Sequence, residues 1–134
     1  MPHANLKVRF LPTDASDYSV LQSAVQALPA IIAECLNCDD PNGQLIQTDI
    51  EVKVETPGPL DIMRYDAELR IEAMDFPSRT ADKDKRNQKI MDAFAPLLPP
   101  CYRTRHSWLV LANAAFTDKV SMVDRRTPSS STGF

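Results

Sequence analysis

Pro2 is the residue of this chain whose chemistry is most informative. The sequence opens Met1-Pro2-His3. Proline is small enough for the initiator methionine to be removed, and removal would leave Pro2 with a free secondary amine. An ordinary α-amine titrates at roughly pH 7.7–8.0, and burial or a nearby cation lowers that pKa because both disfavour the ammonium form. We therefore predict that Pro2 is a general base. The alternative is an ordinary second residue with no catalytic role.

Two other patterns of reactive residues carry less weight. Cys35 and Cys38 form a CxxC pair, but Cys101 is the only other cysteine, and His3 and His106 are distant in sequence. A four-ligand zinc site requires closer spacing of its ligands, and a redox pair belongs at the start of a helix, whereas this pair lies at a helix end. We interpret the cysteines as buried or incidental thiols, and His106 as a loop or strand-edge residue.

Composition argues against several classes of partner and cofactor. The 134 residues carry a formal net charge of −3, and 43% are hydrophobic and 25% charged, as in a single soluble domain. The negative charge gives no attraction to nucleic acid or anionic membranes, and no apolar run approaches the about 20 residues of a membrane span. Glycine occurs only at positions 43, 58 and 133, so no phosphate-binding glycine loop can form. Three cysteines, an odd number, argue against a secreted disulfide framework. We expect a cytoplasmic protein without metal or organic cofactor, binding neither nucleic acid nor membrane.

Hydrophobic periodicity predicts the elements that must position Pro2. Alternating segments indicate strands, and apolar residues at helical spacing indicate helices. Ser16 or Asp17 is placed to cap the first helix and Thr80 the second, and Pro29 should kink or restart the first. The predicted strands are residues 4–11, 46–54, 65–74 and 107–116, and the predicted helices run from residue 16 or 17 to 35 and from 81 to 98.

This order predicts an α/β chain, more specifically an α+β two-layer sandwich. Two consecutive βαβ units would form a four-stranded mixed sheet with both helices on one face. We expect a single domain over residues 1–120 and a mobile tail over residues 121–134. The other face of the sheet would be crowded with charges: Lys7, Arg9, Asp49, Glu51, Lys53, Glu68, Arg70 and Glu72. Such a face is either open to solvent or paired with other copies of the chain, and the pattern leaves both open.

Three stretches of the sequence carry a resemblance to a known family. They are the Met1-Pro2-His3 start before a strand, residues 46–52, and residues 65–94, which include Phe76-Pro77-Ser78-Arg79-Thr80. In these stretches the chain resembles the tautomerase superfamily, and most closely its 5-carboxymethyl-2-hydroxymuconate isomerase branch. The likeness spans roughly residues 2–116, and the order of the elements together with Pro2 carries it.

The resemblance implies a fold, an assembly and site residues. It implies a tautomerase-like homotrimer in which the amino-terminal proline, here Pro2, moves a proton between carbons of an enol or dienol acid, a reaction of aromatic compound degradation. Arg79 matches an arginine that holds a substrate carboxylate. Where the branch has a second arginine, this chain has Gln47, which supplies no charge, so the diacid substrate is in doubt. His3 neighbours Pro2 and could contact substrate or tune the base.

The resulting hypothesis is a cofactor-independent isomerase of the tautomerase type. It would act on a 2-hydroxymuconate-like acid with Pro2 as catalytic base and Arg79, Gln47 and His3 as substrate-binding residues. Two alternatives belong to other functional classes: a non-catalytic trimer that keeps the fold, and a ferredoxin-like domain that binds a small molecule.

Overall fold

A mixed five-stranded sheet is the framework of the protein. The computed structural model describes residues 2–112 and 119–126. Its strands are β1 (His3–Val8), β2 (Glu51–Glu55), β3 (Ala67–Met74), β4 (Thr104–Ala112) and β5 (Lys119–Arg126). Its helices are α1 (Ala15–Leu36), α2 (Pro77–Ala81) and α3 (Lys83–Phe94), and short 3₁₀ turns cover Pro41–Gly43, Gln47–Asp49 and Ala95–Leu97.

The strand order is β2-β1-β3-β4-β5. β1 is parallel to β2 and β3 is parallel to β4, while β1 and β3 run antiparallel at the junction between these pairs. Helix α1 connects the first parallel pair, and α2 and α3 connect the second. The α+β class and both predicted parallel pairs are therefore confirmed.

The fifth strand corrects the predicted four-stranded sheet and the predicted tail. β5 pairs antiparallel with β4, with Ser107 opposite Val123 and Leu109 opposite Ser121. Residues 121–126, which we had assigned to a mobile tail, are therefore part of the sheet and continue the folded unit past residue 120. Residues 127–134 of the predicted tail lie outside the described part of the chain.

The helices cover one face of the sheet and form the core with it. Alternate strand residues point to the helices and are almost completely buried, together with an apolar stripe along α1 and α3. The cluster includes Ala4, Leu6, Val8, Leu69, Ile71, Leu109, Leu111, Leu21, Leu28, Ile32, Ile90 and Phe94. The opposite face of the sheet, called here the open face, is not covered by any described element.

Helix α1 differs from its prediction in two ways. Its cap is Asp14, whose carboxylate accepts hydrogen bonds from the amides of Ser16 and Asp17, so neither of those residues is the cap. Pro29 lies inside the helix without ending it, because the buried stripe of α1 continues on both sides of it. By length and composition α1 could also cross a membrane. The search of the sequence for an uninterrupted apolar run did not anticipate this. A core helix passes the same test, so this is weak support for a span.

The remaining elements are shifted relative to their predictions. The single helix predicted over 81–98 is two, since α2 begins at Pro77, a residue suited to a first helical turn, and α3 begins at Lys83. Its predicted cap, Thr80, lies within α2. The strand predicted over 107–116 begins earlier, at Thr104, and residues 113–116 lie outside the described part of the chain.

Candidate functional site

Pro2 lies directly before β1 at the edge of a small pocket. It is buried, and its carbonyl oxygen lies 3.4 Å from the amide nitrogen of Glu51, at the start of the parallel pairing between β1 and β2. The pocket has a volume of about 250 Å³, and Arg79 is also in its wall. The structure thus brings together the predicted base and the predicted arginine, although 76 residues lie between them in the sequence.

Arg79 is held by the backbone of three segments. Its Nε donates to the carbonyl of Leu36 at 2.8 Å, one Nη donates to Met74 at 2.9 Å and the other donates to Gly43 at 2.7 Å. Leu36 ends α1, and helix ends leave carbonyls without intrahelical partners. The guanidinium therefore ties the end of α1 to the end of β3 and to the turn at Gly43.

Arg79 is a buried arginine. It is 1% exposed, although it belongs to the short helix α2. Burial lowers the pKa of its guanidinium, with a smaller lowering from Arg86 and an opposing effect of Cys38. The Phe76 ring lies 5.1 Å from its Cζ atom, a cation–π contact. None of the ion pairs of the described residues includes Arg79, so backbone dipoles and this ring surround a buried cation.

The polar residues in the rest of the wall come from the segment before β2. Asn42 and Gln44 contribute amides, and Asp49 contributes a carboxylate that also accepts a hydrogen bond from the amide of Ile46 at 2.9 Å. Gly43 is required in this segment because a Cβ there would lie 2.3 Å from Cys38 Sγ. A small molecule in the pocket would meet these groups, Arg79 and Pro2, together with the apolar side chains of Leu45, Met74 and Phe76.

Two of the predicted site residues are not in this pocket. Gln47 was predicted on a strand, but it begins the 3₁₀ turn Gln47–Asp49, where it is exposed, and β2 starts only at Glu51. The turn forms because the Asp49 carboxylate binds the amide of Ile46. His3 lies on the open face, with Nε2 3.4 Å from a Glu72 oxygen, and thus on the opposite side of the sheet from the pocket.

Sequence reasoning missed Asn42, Gln44, Asp49 and Phe76 as wall residues. The available signal was the turn cluster at residues 39–43, which precedes β2, since a turn there returns the chain to the edge beside Pro2. His106 was also assigned wrongly, because it lies within β4, between β3 and β5, and is only 5% exposed.

The cysteines lie at and beyond the end of α1 and beside the end of α3. Cys35, Cys38 and Cys101 are free thiols. Burial raises the pKa of Cys35 and of Cys101, which disfavours their thiolates. Within residues 2–112 and 119–126, no group of three or more His, Cys, Asp or Glu residues is placed to hold a metal ion.

Comparison with known proteins adds no assignment to this geometry. No protein-family model matches the sequence, and a search of curated proteins finds no match either.

Proposed function

We propose that the protein is a cofactor-independent isomerase that uses Pro2 as a general base. The observation that carries the proposal is that Pro2 and Arg79 line the same pocket. A buried amine beside a buried guanidinium would have its neutral form favoured by both desolvation and charge repulsion. A neutral amine at physiological pH is what proton abstraction from a weakly acidic enol or carbon requires.

The proposed reaction moves one proton and leaves the composition of the substrate unchanged. The Pro2 nitrogen takes a proton from an enol hydroxyl or from a carbon beside a carbonyl, which leaves an enolate or dienolate. The resulting ammonium then returns the proton to another carbon of the conjugated system. Positive charge near the developing oxyanion lowers the barrier, because a preorganised charge in a site shielded from water acts strongly.

Arg79 is the proposed source of that charge, within limits that its contacts set. A guanidinium has five N–H groups, and three of them are bound by Leu36, Met74 and Gly43. Two remain for a substrate carboxylate or carbonyl. Two free N–H groups favour a single anchoring contact between Arg79 and the substrate. The carboxylate of Asp49 in the wall would repel a second substrate carboxylate, so we favour a substrate with one carboxylate in this pocket.

The substrate is proposed to be a small enol or dienol acid that resembles 2-hydroxymuconate in its conjugated system but needs only one carboxylate in this pocket. The pocket volume of about 250 Å³ lies just below the usual range for ligand sites, roughly 300–1,000 Å³. Gln47 lies outside the pocket, so a second anchor, if the substrate has one, has to come from elsewhere.

A homotrimer with a tautomerase-like fold is part of the proposal. Two βαβ units joined by an antiparallel β1–β3 pair, with charges on the open face, support it. The end of that face around His3, Lys53 and Arg70 carries both signs and would meet other copies there. We place the protein in the cytoplasm, where its three free thiols would stay reduced.

A non-catalytic protein with the same fold is the alternative that one observation favours. The three carbonyl contacts account for the burial of Arg79 without any substrate, so this arginine could serve the fold alone. The small pocket would then bind a ligand without turning it over, as a ferredoxin-like binding domain would, or have no ligand.

The test is a screen of enol and dienol acids followed by ultraviolet absorbance, using the chain from which Met1 has been removed. We expect turnover of at least one monocarboxylic enol acid, and we expect Pro2→Ala, which keeps a primary amine but lacks the ring that orients the lone pair, to reduce the rate and leave weak activity. Pro59→Ala, at an exposed proline remote from the pocket, is the matched control. Activity should rise with pH through an apparent pKa below the about 7.7 of an ordinary α-amine. Absence of turnover across the panel would favour the non-catalytic alternative, whereas equal rates for the parent and Pro2→Ala would show that the proline ring is not required for catalysis.

A further inference from the structure

A second and larger pocket lies on the open face, on the other side of the sheet from Pro2. It has a volume of about 710 Å³, within the usual range for small-molecule sites. Its walls include Tyr65, His106, Trp108 and Met122, with Lys7 and Glu68 at the same level of the sheet. Ile62, also in the wall, is 88% exposed. Aromatic and apolar side chains thus meet a few charged groups here, a composition typical of binding sites.

His106 is fixed in this pocket by its neighbours. Its ring stacks on Tyr65 with the ring centroids 4.6 Å apart and an interplanar angle of 16°. The ring of Trp108 contacts it edge-on with centroids 4.8 Å apart. On one side of the imidazole, Nδ1 is hydrogen-bonded to the carboxylate of Asp124 across the β4–β5 pair. A histidine held in this way is oriented, not merely buried.

The other nitrogen of His106 has no partner among the described residues. Nε2 is buried and makes no hydrogen bond in that part of the chain. Buried polar atoms in native proteins are nearly always hydrogen-bonded. In the neutral imidazole the carboxylate of Asp124 keeps the proton on Nδ1, so Nε2 carries a lone pair and can only accept. For the neutral imidazole, the missing partner is therefore a hydrogen-bond donor.

We propose that this pocket is a binding site for a small phenol, whose ring packs against Trp108 and whose hydroxyl donates to Nε2 of His106. The aromatic walls select a planar ring, since aromatic pairs gain energy beyond the area that they bury. The acceptor state of Nε2 selects a hydroxyl over a carboxylate. Because Nε2 is buried, a side chain of the pocket wall has to shift as the ligand enters, a motion that is fast on the timescale of binding.

The site adjoins the charged end of the open face. The charged end includes His3 and Arg70, and the pocket extends from the row of Lys7, Glu68, His106 and Asp124 to Trp108, which lies in register with Arg70. The two groups of wall residues have no member in common. Only a trimer whose contacts stay away from the row of His106 would leave the pocket accessible.

The single tryptophan of the chain gives a direct test. Trp108 is the only source of tryptophan fluorescence, and it lies in the wall of the pocket. Phenol, toluene, cyclohexanol and benzoate are titrated into the full chain, with excitation where phenol does not absorb, and calorimetry gives the affinities independently. We expect saturable binding of phenol, with toluene, cyclohexanol and benzoate each at least about fivefold weaker, as for loss of one hydrogen bond or of the ring contact. Equal affinity for toluene and phenol, or no saturable binding, would overturn the proposal.

A variant series separates the histidine contact from general packing. His106→Phe keeps a planar ring in the stack but removes the acceptor, and it should weaken phenol binding about fivefold while leaving toluene unchanged. Lys53→Gln, an exposed substitution at the charged end of the face, is the control and should bind phenol as the parent does. Circular dichroism and urea unfolding confirm that each variant is folded. If His106→Phe is folded and binds phenol with unchanged affinity, Nε2 does not contact the ligand.

Sedimentation of the same samples reports separately whether the chain is a trimer. If the chain is a trimer and phenol does not bind, other copies cover the pocket, and this result would also overturn the site.

Discussion

The two pockets on opposite sides of the sheet differ in how their polar groups are satisfied. In the pocket of Pro2, the Arg79 guanidinium is held by three backbone carbonyls and is 1% exposed. In the pocket on the open face, His106 is similarly buried, but one of its two nitrogens has no partner in the described part of the chain. The comparison teaches that the fold itself can satisfy a buried charge, as at Arg79, and can leave another buried polar group without a partner, as at His106. Removing the first should disturb stability, and removing the second should disturb binding alone.

The largest expected effect on stability is that of Arg79→Ala. Loss of the guanidinium leaves the carbonyls of Leu36, Met74 and Gly43 without their described side-chain donor, and each unsatisfied buried group costs about 1–3 kcal/mol. Water can enter the vacated space, so we expect the free energy of unfolding to fall by about 3 kcal/mol in total, as measured by urea unfolding.

Arg64→Ala is the control for that substitution. Arg64 is exposed, and such surface substitutions usually change stability by no more than about 0.5 kcal/mol. If Arg79→Ala were as stable as Arg64→Ala, the three backbone contacts would contribute nothing to the fold. The contrast between the two pockets would then disappear.

The pKa values of two tyrosines, one on each side of the sheet, extend the comparison to the pH dependence of stability. Burial is the main cause that raises the pKa of Tyr102, on the core side, to about 12, whereas on the open face burial and then a hydrogen bond to Asp124 raise that of Tyr65. The Tyr102 hydroxyl donates to the carbonyl of Phe10. An unfolded tyrosine titrates near about pH 10, so between pH 10 and about 12 the unfolded chain loses this proton first. Stability should therefore fall as pH rises through that window, by about 2 kcal/mol from Tyr102.

The measurement is urea unfolding of the parent and of Tyr102→Phe from pH 9 to pH 12. Near pH 9 the variant should be less stable by roughly 1 kcal/mol, the usual contribution of a hydrogen bond. Its stability should then fall less steeply with pH, so that the two curves converge and cross before pH 12. Parallel curves over the whole range would show that Tyr102 does not hold its proton more tightly in the folded chain.

The smallest expected effect on stability is that of His106→Phe. The variant loses the hydrogen bond to Asp124, whose side chain is 63% exposed and can be solvated instead. It also removes the buried nitrogen that has no partner. Loss of the hydrogen bond lowers the free energy of unfolding, whereas removal of the unsatisfied nitrogen raises it. We expect the free energy of unfolding to change by less than about 1 kcal/mol. A loss above about 2 kcal/mol would mean that His106 serves the fold as Arg79 does.

The sequence predicted the framework of the fold better than it predicted the site. The alternation of apolar and polar residues on β1 and β3 and the helical spacing of apolar residues on α1 predicted the two layers. Burial of one face of a strand or helix makes apolar residues recur at regular intervals in the sequence. β5 was missed because Val120 and Met122 face solvent on the open side, and the serine-rich end of the chain suggested a tail.

The positions of the site residues depend on contacts between distant segments, and such contacts produce no regular spacing of residue types near the site residue. The burial of Arg79 depends on the end of α1, 43 residues earlier in the chain, and no pattern around Arg79 predicts this. Gln47 was placed on a strand by its alternation, but the Asp49 carboxylate forms a competing turn. Pro2, in contrast, was predicted as a base from its chemistry alone; it lies in the wall of the same pocket as Arg79, and its role as a base stays a prediction.

The most direct test of the central proposal is to block the amine of Pro2 without changing any side chain. One preparation has Met1 removed, as verified by mass, a second retains one residue before Pro2, and a third carries the same added residue at the other end as a control. The amide nitrogen of an extended chain cannot accept a proton, so the second preparation should lose at least about 10²-fold in turnover of the enol acid while keeping its fold. The third should match the first. If the chain extended before Pro2 turns over the substrate as fast as the mature chain, Pro2 is not the base.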